Sequence, residues 1–335
     1  RMRWKAHFFL KGEKSHEKTD HFGLPSNKTP PTILELKAFE EDVLKLIENI
    51  KFRDTKNDFQ ETLANDLKKI NSSKNMFVFA DKTRNIYETS LETYNKLLHD
   101  NITKTYKHGS EDNISEIDSE LKHIADNLSI GNRIECMKKR EAFISLKDHK
   151  DNFENNPKCR LINPAKSDSG KISKLILDKI NTQLRTILNV NQWKNTQNVI
   201  DWFGNIEEKT RHSFISFDII DFYPSISENL LDQALSWASS LTSISNEDIS
   251  IIKHARKSLL FNNGKPWTKN NNSNLFDVTM GSYDGAEICE LVGLFILKHL
   301  GNTFGNKNIG LYRDDGLAII KNRSARLADK TRKDL

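Results

Sequence analysis

Residues 312–316 read Tyr312-Arg313-Asp314-Asp315-Gly316, with Ile309 and Leu311 before them and Leu317, Ile319 and Ile320 after. Asp-Gly between two short apolar runs signals a β-hairpin, because the turn needs residues that tolerate positive φ. The expected result is a pair of adjacent carboxylates, Asp314 and Asp315, at one exposed end of the hairpin. Neighbouring carboxylates repel unless a cation lies between them, and their hard oxygens suit Mg²⁺ or Mn²⁺ rather than a soft metal.

A third acid lies upstream, in Phe214-Ile215-Ser216-Phe217-Asp218-Ile219-Ile220-Asp221-Phe222-Tyr223-Pro224-Ser225. A strand over 213–219 puts Ile215, Phe217 and Ile219 on one face and Ser216 and Asp218 on the other, so Asp218 points from the core toward a cleft. Each segment alone has a bland reading: a solvated hairpin tip in one case, a strand followed by a helix cap in the other. Together they supply what two-metal phosphoryl transfer requires. Shared carboxylates clamp ions about 3.5–4 Å apart; one ion activates an attacking hydroxyl and the other steadies the triphosphate and the leaving oxygen.

With these residues in place, the chain resembles a reverse transcriptase, most closely those of Penelope-like retroelements, whose metal-binding hairpin reads Tyr-Arg-Asp-Asp-Gly. Three further blocks carry the resemblance in the right order. Asp218 to Ser225 resembles the family's first palm motif. Met280-Gly281-Ser282-Tyr283-Asp284-Gly285-Ala286-Glu287 resembles its second, a glycine turn leading into a helix. Residues 141–180, with Leu146-Lys147-Asp148-His149-Lys150, Cys159-Arg160-Leu161-Ile162-Asn163-Pro164 and Ile172-Ser173-Lys174, resemble its fingers segment.

The resemblance implies an α+β right-hand polymerase fold: an antiparallel palm sheet packed on helices, a mixed fingers subdomain, and no thumb. It places a helical N-terminal extension at 1–72, fingers at 73–202 and a palm at 203–335, truncated after the catalytic hairpin. A complete relative continues with more palm, a thumb and usually a GIY-YIG endonuclease, which residues 321–335 have no room for. The isolated chain is therefore expected to bind duplex poorly and to polymerise weakly or not at all. The implied partners are an RNA template, a DNA primer and dNTPs, and the implied cofactors are two Mg²⁺ or Mn²⁺ ions. A nuclear setting follows from the resemblance alone.

Residue roles also follow from the resemblance. Asp218, Asp314 and Asp315 are the implied catalytic metal ligands, the first two binding most directly, with the carbonyl of Ile219 as a further oxygen. Asp221 and Phe222 fall in the turn that holds the incoming triphosphate, although Asp221 reads equally well as a helix cap. Tyr223 falls where relatives keep an aromatic ring beneath the nucleotide sugar, which would exclude a 2′ hydroxyl; the competing reading is that it is core. Arg160 corresponds to the arginine that grips the triphosphate, with Lys147, Lys150 or Lys158 as helpers, against the alternative of a solvated basic loop. Gly281 allows close backbone approach. Met280 and Ser282 of that turn, with Tyr312 and Arg313, face template and primer. Many relatives carry Gln where this chain has Met280, so any contact owed to that Gln does not transfer.

The elements that must position these groups are legible in part. The first thirty residues read as irregular, ending in Thr29-Pro30-Pro31. Helical spacing follows over 33–50 and 58–70, then a strand over 76–80, a turn at Asp81-Lys82-Thr83 and a partner strand near Ile86. Helices are expected at 91–105, 114–130 and 171–188, with a hairpin across 143–162 before the last. The palm should begin near Phe203, with helices at 228–241 and 245–260 and a polar loop at 262–274. A last helix over 286–300 carries Ile288, Leu291, Val292 and Phe295 on one core stripe.

Composition is compatible with this reading but would not reveal it. The 335 residues include 51 basic and 46 acidic side chains, a net charge of only +5, so overall charge is a weak pointer to nucleic acid. Local charge says more: Lys138, Lys139, Arg140, Lys147, Lys150, Lys158, Arg160, Lys166, Lys171 and Lys174 load one region suited to a phosphate backbone. Three cysteines, Cys136, Cys159 and Cys289, are too few and too scattered for a disulfide scaffold or a Cys-x-x-Cys zinc site, which points to a reducing intracellular setting. No run approaches the roughly 20 apolar residues of a membrane span. Two readings stay in contention: a segment of an RNA-directed DNA polymerase, and a nucleic-acid-binding remnant that keeps the fold without catalysis. A metal-independent structural protein has little in its favour.

Overall fold

Serine and asparagine side chains set where several helices begin, each accepting a backbone N–H that the first turn leaves unpaired. Ser167 Oγ accepts from Gly170 N at 3.0 Å, Ser227 Oγ from Leu230 N at 3.2 Å, and Asn57 and Ser245 each close a reciprocal capping box. The computed structural model describes residues 2–11, 22–51, 57–164, 166–270, 275–321 and 324–333. In chain order the elements are α1 (Met2–Lys11), α2 (Lys37–Glu48), α3 (Asp58–Ser72), β1 (Asn75–Phe79), β2 (Ile86–Ser90), α4 (Leu91–Thr103), β3 (Tyr106–His108) and α5 (Glu111–Asn127). They continue with β4 (Phe143–Leu146), β5 (Cys159–Ile162), α6 (Asp168–Leu188), β6 (Asn191–Gln192), α7 (Thr196–Gly204), β7 (His212–Asp218), α8 (Phe222–Ser225) and α9 (Glu228–Leu241). The last are α10 (Asn246–His254), β8 (Leu260–Asn262), β9 (Lys265–Lys269), α11 (Gly285–Phe304), β10 (Ile309–Tyr312), β11 (Asp315–Lys321) and α12 (Ala325–Lys333).

The central sheet runs β6-β10-β11-β7. Its strand β11 is antiparallel to both neighbours, β10 and β7. The expected all-antiparallel sheet is corrected at the edge, where the two residues of β6 pair parallel with Gly310 and Leu311. Ile215, Ile309, Leu311 and Ala318 of this sheet share a core with Leu297 of α11 and Ala328 of α12. A larger core joins α6, α9, α10 and α11 through Ile172, Leu177, Leu231, Leu235, Ile252, Ile288, Leu291 and Val292. Helix α11 thus serves both cores; of its expected apolar stripe Ile288, Leu291 and Val292 are buried and Phe295 is half-buried. Among the described residues no helix is long and apolar enough to cross a membrane.

Four expectations need correction. Residues 2–11, read as irregular, form α1, whose Arg3 donates two hydrogen bonds at 2.5 Å to the carboxylate of Glu40 on α2. Helix α10 ends at His254 rather than near 260, because Leu260 and Phe261 are drawn into the buried strand β8 instead. The polar loop expected over 262–274 is largely the β8–β9 hairpin, with Asn263 and Gly264 both at positive φ in its turn; residues 271–274 lie outside the described set. Finally, β3 pairs with β9 and β6 joins the sheet of β7, β10 and β11, so elements before and after residue 203 interleave.

Two glycines in the sheet are required by close packing. The Trp193 ring lies against Gly310, and the Phe217 ring lies against Gly316, each occupying the space a Cβ would need. Because an extra methyl in such a place forces the backbone apart, Gly310→Ala should lower the unfolding free energy by about 1–3 kcal/mol. Gly204 has open space around it; Gly204→Ala should change stability by less than about 0.5 kcal/mol. Urea melts of the two variants beside the parent chain check both.

Candidate active site

Strand alternation decides where Asp218 points. In β7, Ile215 is buried and Phe217 half-buried, while Ser216 and Asp218 are exposed on the opposite face. Strand β11 pairs with β7 over seven residues, in a register that sets Asp315 directly across from Asp218. The pairing is extended at its end by Ile219 N–H, which donates to Asp314 O at 2.9 Å. Residues 218, 314 and 315, far apart in sequence, therefore meet at one exposed end of one sheet.

The hairpin turn differs from the expected one. Tyr312 pairs with Asp315, so the two loop residues are Arg313 and Asp314, and the left-handed conformation falls on Arg313 at φ 57°. Gly316 is not in the turn; it lies in β11 beneath Phe217. Arg313 lies 5.9 Å from the centroid of the Tyr312 ring. An arginine in this backbone region costs energy that a glycine would not.

The electrostatics match three converging charges. Asp315 is raised from its usual value, first by desolvation and then by the negative charges of Asp314 and Asp218, while Lys82 pulls it down. Among the described residues no group of three or more His, Cys, Asp or Glu side chains is arranged so that it could hold a metal ion as it stands. The donor set itself suits Mg²⁺ or Mn²⁺: carboxylate oxygens only, exposed side chains able to turn, and a mutual repulsion that a divalent cation would relieve. Ile219 follows Asp218 just past the end of β7.

Tyr223 is half-buried behind this end. Its ring would lie 3.4 Å from a Cβ at Gly285, and its hydroxyl neighbours the Cys289 thiol. Desolvation pushes the Tyr223 phenol up to about 12, with the nearby Arg313 charge opposing. The buried Cys289 thiol is likewise pushed up to about 12 by desolvation, with Asp314 adding and Arg256, Tyr223 and Arg313 opposing. Phe222 is placed otherwise than expected: it is 4% exposed and packs in the main core, so its side chain does not face the cleft. Asp221 is exposed at φ 49° and makes no side-chain cap, which leaves the cap alternative without a hydrogen bond.

The turn before α11 is held from several sides. Gly281, at φ 116°, lies so near β5 that a Cβ there would sit 2.5 Å from Asn163 O. Ser282 Oγ donates to Thr279 O at 3.2 Å, and Met280 is half-buried beside it. Asp284 forms a fully buried ion pair with Arg256, and Glu287 pairs with Lys174 of α6. Tyr283 carries Lys166 at 4.9 Å and Lys171 at 5.4 Å from its ring centroid. Sequence reading gave Gly281 as a point of close approach but not the Asp284–Arg256, Glu287–Lys174 and Tyr283–lysine contacts, because each of these depends on a partner distant in the chain.

Arg160 and Lys147 lie on a separate hairpin, β4–β5. Arg160 Nη1 pairs with Asp81 Oδ1 at 2.7 Å, so the guanidinium is engaged with the β1–β2 turn. Lys147 is half-buried beside Cys159. Lys82, the residue after Asp81, was read only as part of a turn, yet its charge acts on Asp315.

No protein-family model and no curated protein matches this chain. Solved structures do resemble it. Apo telomerase from Candida tropicalis, truncated of its C-terminal domain, superposes with a TM-score of 0.50 at 13% identity, over 77% of this chain and 54% of that one. Telomerase from Candida albicans, bound to a fragment of telomeric RNA, gives 0.47 at 9% identity over 77% and 46%. The RNA-dependent RNA polymerase of a human picobirnavirus gives 0.44 at 12% identity over 92% and 67%. The chain thus spans about half the length of the Candida tropicalis telomerase, with which it shares a polymerase-like fold of mixed helices and sheet.

A raised carboxylate pKa gives a signed prediction. The folded chain holds the Asp315 proton more tightly than the unfolded chain does, so ionising Asp315 weakens folding. The penalty is absent below the usual value of 3.8 and complete once pH has risen past the raised value. In metal-free buffer, Asp315→Asn should therefore be more stable than the parent chain at neutral pH, with the difference closing as pH falls toward that usual value. Thermal melts across pH measure this directly.

Proposed function

We propose that this chain is the nucleotidyl-transfer segment of an RNA-directed DNA polymerase of the Penelope-like retroelement kind, joining dNTPs to the 3′ hydroxyl of a DNA primer on an RNA template. The observation that carries the reading is the β7–β11 register, which brings Asp218 opposite Asp315 with Asp314 adjoining. Binding alone has no use for three carboxylates forced together. The polymerase-like fold shared with the Candida tropicalis telomerase supports the same class of chemistry.

In this reading Asp218, Asp314 and Asp315 hold two Mg²⁺ or Mn²⁺ ions, with the Ile219 carbonyl available as a further oxygen. When bound, such ions lower the pKa of the attacking hydroxyl and stabilise charge on the triphosphate. The chain's own residues do the rest. Tyr223 stays un-ionised at neutral pH and is backed by Gly285 and Cys289, so its ring is a firm wall beneath the nucleotide sugar. A 2′ hydroxyl would collide with that wall, which selects dNTPs over rNTPs. Arg313 adds positive charge beside Asp314 and Tyr223, where a primer phosphate would gain from it. The 280–285 turn, fixed by Gly281 on β5 and by the Asp284–Arg256 pair, supports the template–primer strand. The basic β4–β5 region, with Arg160 and Lys147, forms the fingers side of the cleft, and a nuclear setting fits a retroelement enzyme that copies RNA into DNA.

Single-nucleotide addition to a labelled DNA primer on an RNA template, with Mg²⁺ and dNTPs, tests the reading. Asp314→Asn should lower the rate by on the order of a hundredfold or more, as expected when a group stabilising the transition-state charge is lost; an unchanged rate would remove its metal role. Tyr223→Ala should reduce discrimination against rNTPs by about tenfold or more. Retained exclusion of rNTPs in that variant would defeat the sugar-wall role.

A further inference from the structure

Lys269, the last residue of β9, is a lysine only 9% exposed. Its ammonium meets the Asp277 carboxylate, with Oδ1 at 3.2 Å, and donates to the carbonyl of Pro224 at 2.9 Å. Asp277 is 3% exposed, and its second oxygen accepts from Tyr106 Oη at 2.5 Å. Tyr106 stands directly across from Lys269 in the β3–β9 pairing, so the three side chains form one chain of polar contacts. Burial and the Asp277 charge push the Tyr106 phenol well above its usual value, which keeps its proton available to Asp277. Taking a lysine and an aspartate out of water is costly, and their attraction repays that only in good geometry. The pair is therefore weak evidence for stability and points instead to something it holds in place.

What it holds is α8. A helix of one turn cannot stabilise itself, so its place is set by what grips it. On one side Phe222 and Ile226, 4% and 1% exposed, sit in the main core. Within the turn, Asp221 O accepts from Ser225 N, Phe222 O from Ser225 Oγ and Tyr223 O from Ile226 N. The Pro224 carbonyl is left over from this set, and Lys269 takes it. Pro224 is exposed, so water would satisfy its carbonyl as well. A buried ammonium already held by Asp277 adds a fixed position rather than a missing bond. Tyr223 lies between these grips, against Gly285. Asp277 ties the same point to the turn before α11: its N–H donates to Arg256 O at 2.9 Å, and Arg256 pairs with Asp284.

We propose that Lys269 is a positioning residue for Tyr223, and that its anchorage on Asp277 and Tyr106 sets how closely the Tyr223 ring approaches the nucleotide sugar. The proposal rests on the polymerase reading above, in which that ring excludes a 2′ hydroxyl. A wall discriminates by steric contact only while it cannot recede; a ring that yields admits the group it should reject. Tyr223 and Pro224 share a planar peptide, and the proline ring fixes φ, so a carbonyl held at Pro224 leaves the Tyr223 backbone little freedom. Lys269 touches no substrate in this account. It acts on sugar selection through the ring.

Primer extension by the whole chain tests this with Lys269→Met/Asp277→Asn, which removes both charges together because removing one would strand the other in the core. The double variant should lose about fivefold of the parent's preference for dNTPs over rNTPs in kcat/KM, the size of one hydrogen bond. Placed on Tyr223→Ala, the same substitutions should change that preference by less than about twofold, because the group they act through is gone. A second readout needs no catalysis. In the chain labelled with 3-fluorotyrosine, the fluorine resonance lost in Tyr223→Phe marks Tyr223; in the double variant it should shift and broaden while those of Tyr87 and Tyr94 stay in place. Tyr106→Phe, which deletes one hydroxyl and leaves both charges, should move the Tyr223 resonance in the same direction by less. Should the double variant fail to fold, Tyr106→Phe decides, and an unmoved resonance overturns the proposal. A parent chain that extends primers while the double variant keeps the dNTP preference, or loses it equally on the Tyr223→Ala background, overturns the positioning role and leaves the polymerase reading intact. Exclusion of rNTPs that survives Tyr223→Ala removes the sugar wall and the proposal with it. A parent chain that adds no nucleotide counts against the polymerase reading; the Tyr223 resonance then decides, a shift in the double variant supporting the hold on Tyr223 and an unmoved resonance overturning it.

Discussion

Everything at the carboxylate end depends on one backbone register, the antiparallel pairing of β11 with β7 that sets Asp315 across from Asp218. Like charges directly opposite each other in a sheet are destabilising, since their Cβ atoms stand only about 4.5–5.5 Å apart. The pairing persists because it runs over seven residues, because Ile219 adds a hydrogen bond to Asp314 beyond the strand end, and because Phe217 packs over Gly316. A slip of one residue would turn Asp218 to the core and Phe217 to solvent, so the buried face of β7 fixes the register against the charge repulsion. The sheet thereby holds a concentration of negative charge that a divalent cation would relieve.

Helix α11 is the support behind this end. Its first residue, Gly285, leaves room for the Tyr223 ring; Asp284 just before it pairs with buried Arg256; Glu287 pairs with Lys174; and Cys289 backs Tyr223. A buried ion pair is weak evidence for net stability, because desolvating both charges offsets much of their attraction. Removing one partner is another matter, as it strands the other in the core. The Arg256–Asp284 pair thus fixes where α11 begins more surely than it strengthens the fold. Through Gly281 the same turn abuts β5, so the basic hairpins and the carboxylate end are set relative to each other by packed backbone.

Much of this was legible in the sequence where local rules suffice. The alternation of β7 placed Asp218 correctly, the apolar stripe of α11 was read as core, and the limits of α9 and of the β1–β2 and β4–β5 hairpins follow from caps, turn residues and β-branched runs. Three failures have local causes as well. Asp315-Gly316 looked like the turn, but Gly316 is demanded by the Phe217 ring, which only the folded sheet reveals. The β8–β9 hairpin was taken for helix and loop because residues 262–274 are rich in Asn, Gly and Lys, although Asn263-Gly264 is the turn signal that could have identified it. Phe222 was carried toward the nucleotide with its neighbours, whereas the short helix α8 turns it into the core. The Arg160–Asp81 pair, the Asp284–Arg256 pair and the parallel strand β6 were out of reach, since each joins residues with no shared local pattern.

The central claim is that Asp218 and Asp314, separated in sequence, share divalent cations. Mn²⁺ binding, followed by the loss of its free-ion electron paramagnetic resonance signal, tests this without any substrate. The parent chain should bind Mn²⁺, and Asp218→Asn and Asp314→Asn should each weaken binding by about tenfold or more, the two losses combining non-additively as expected for ligands of one site. A parent chain that leaves the free-ion signal untouched, or variants that bind as the parent does, would contradict the shared site and with it the account of how this fold works.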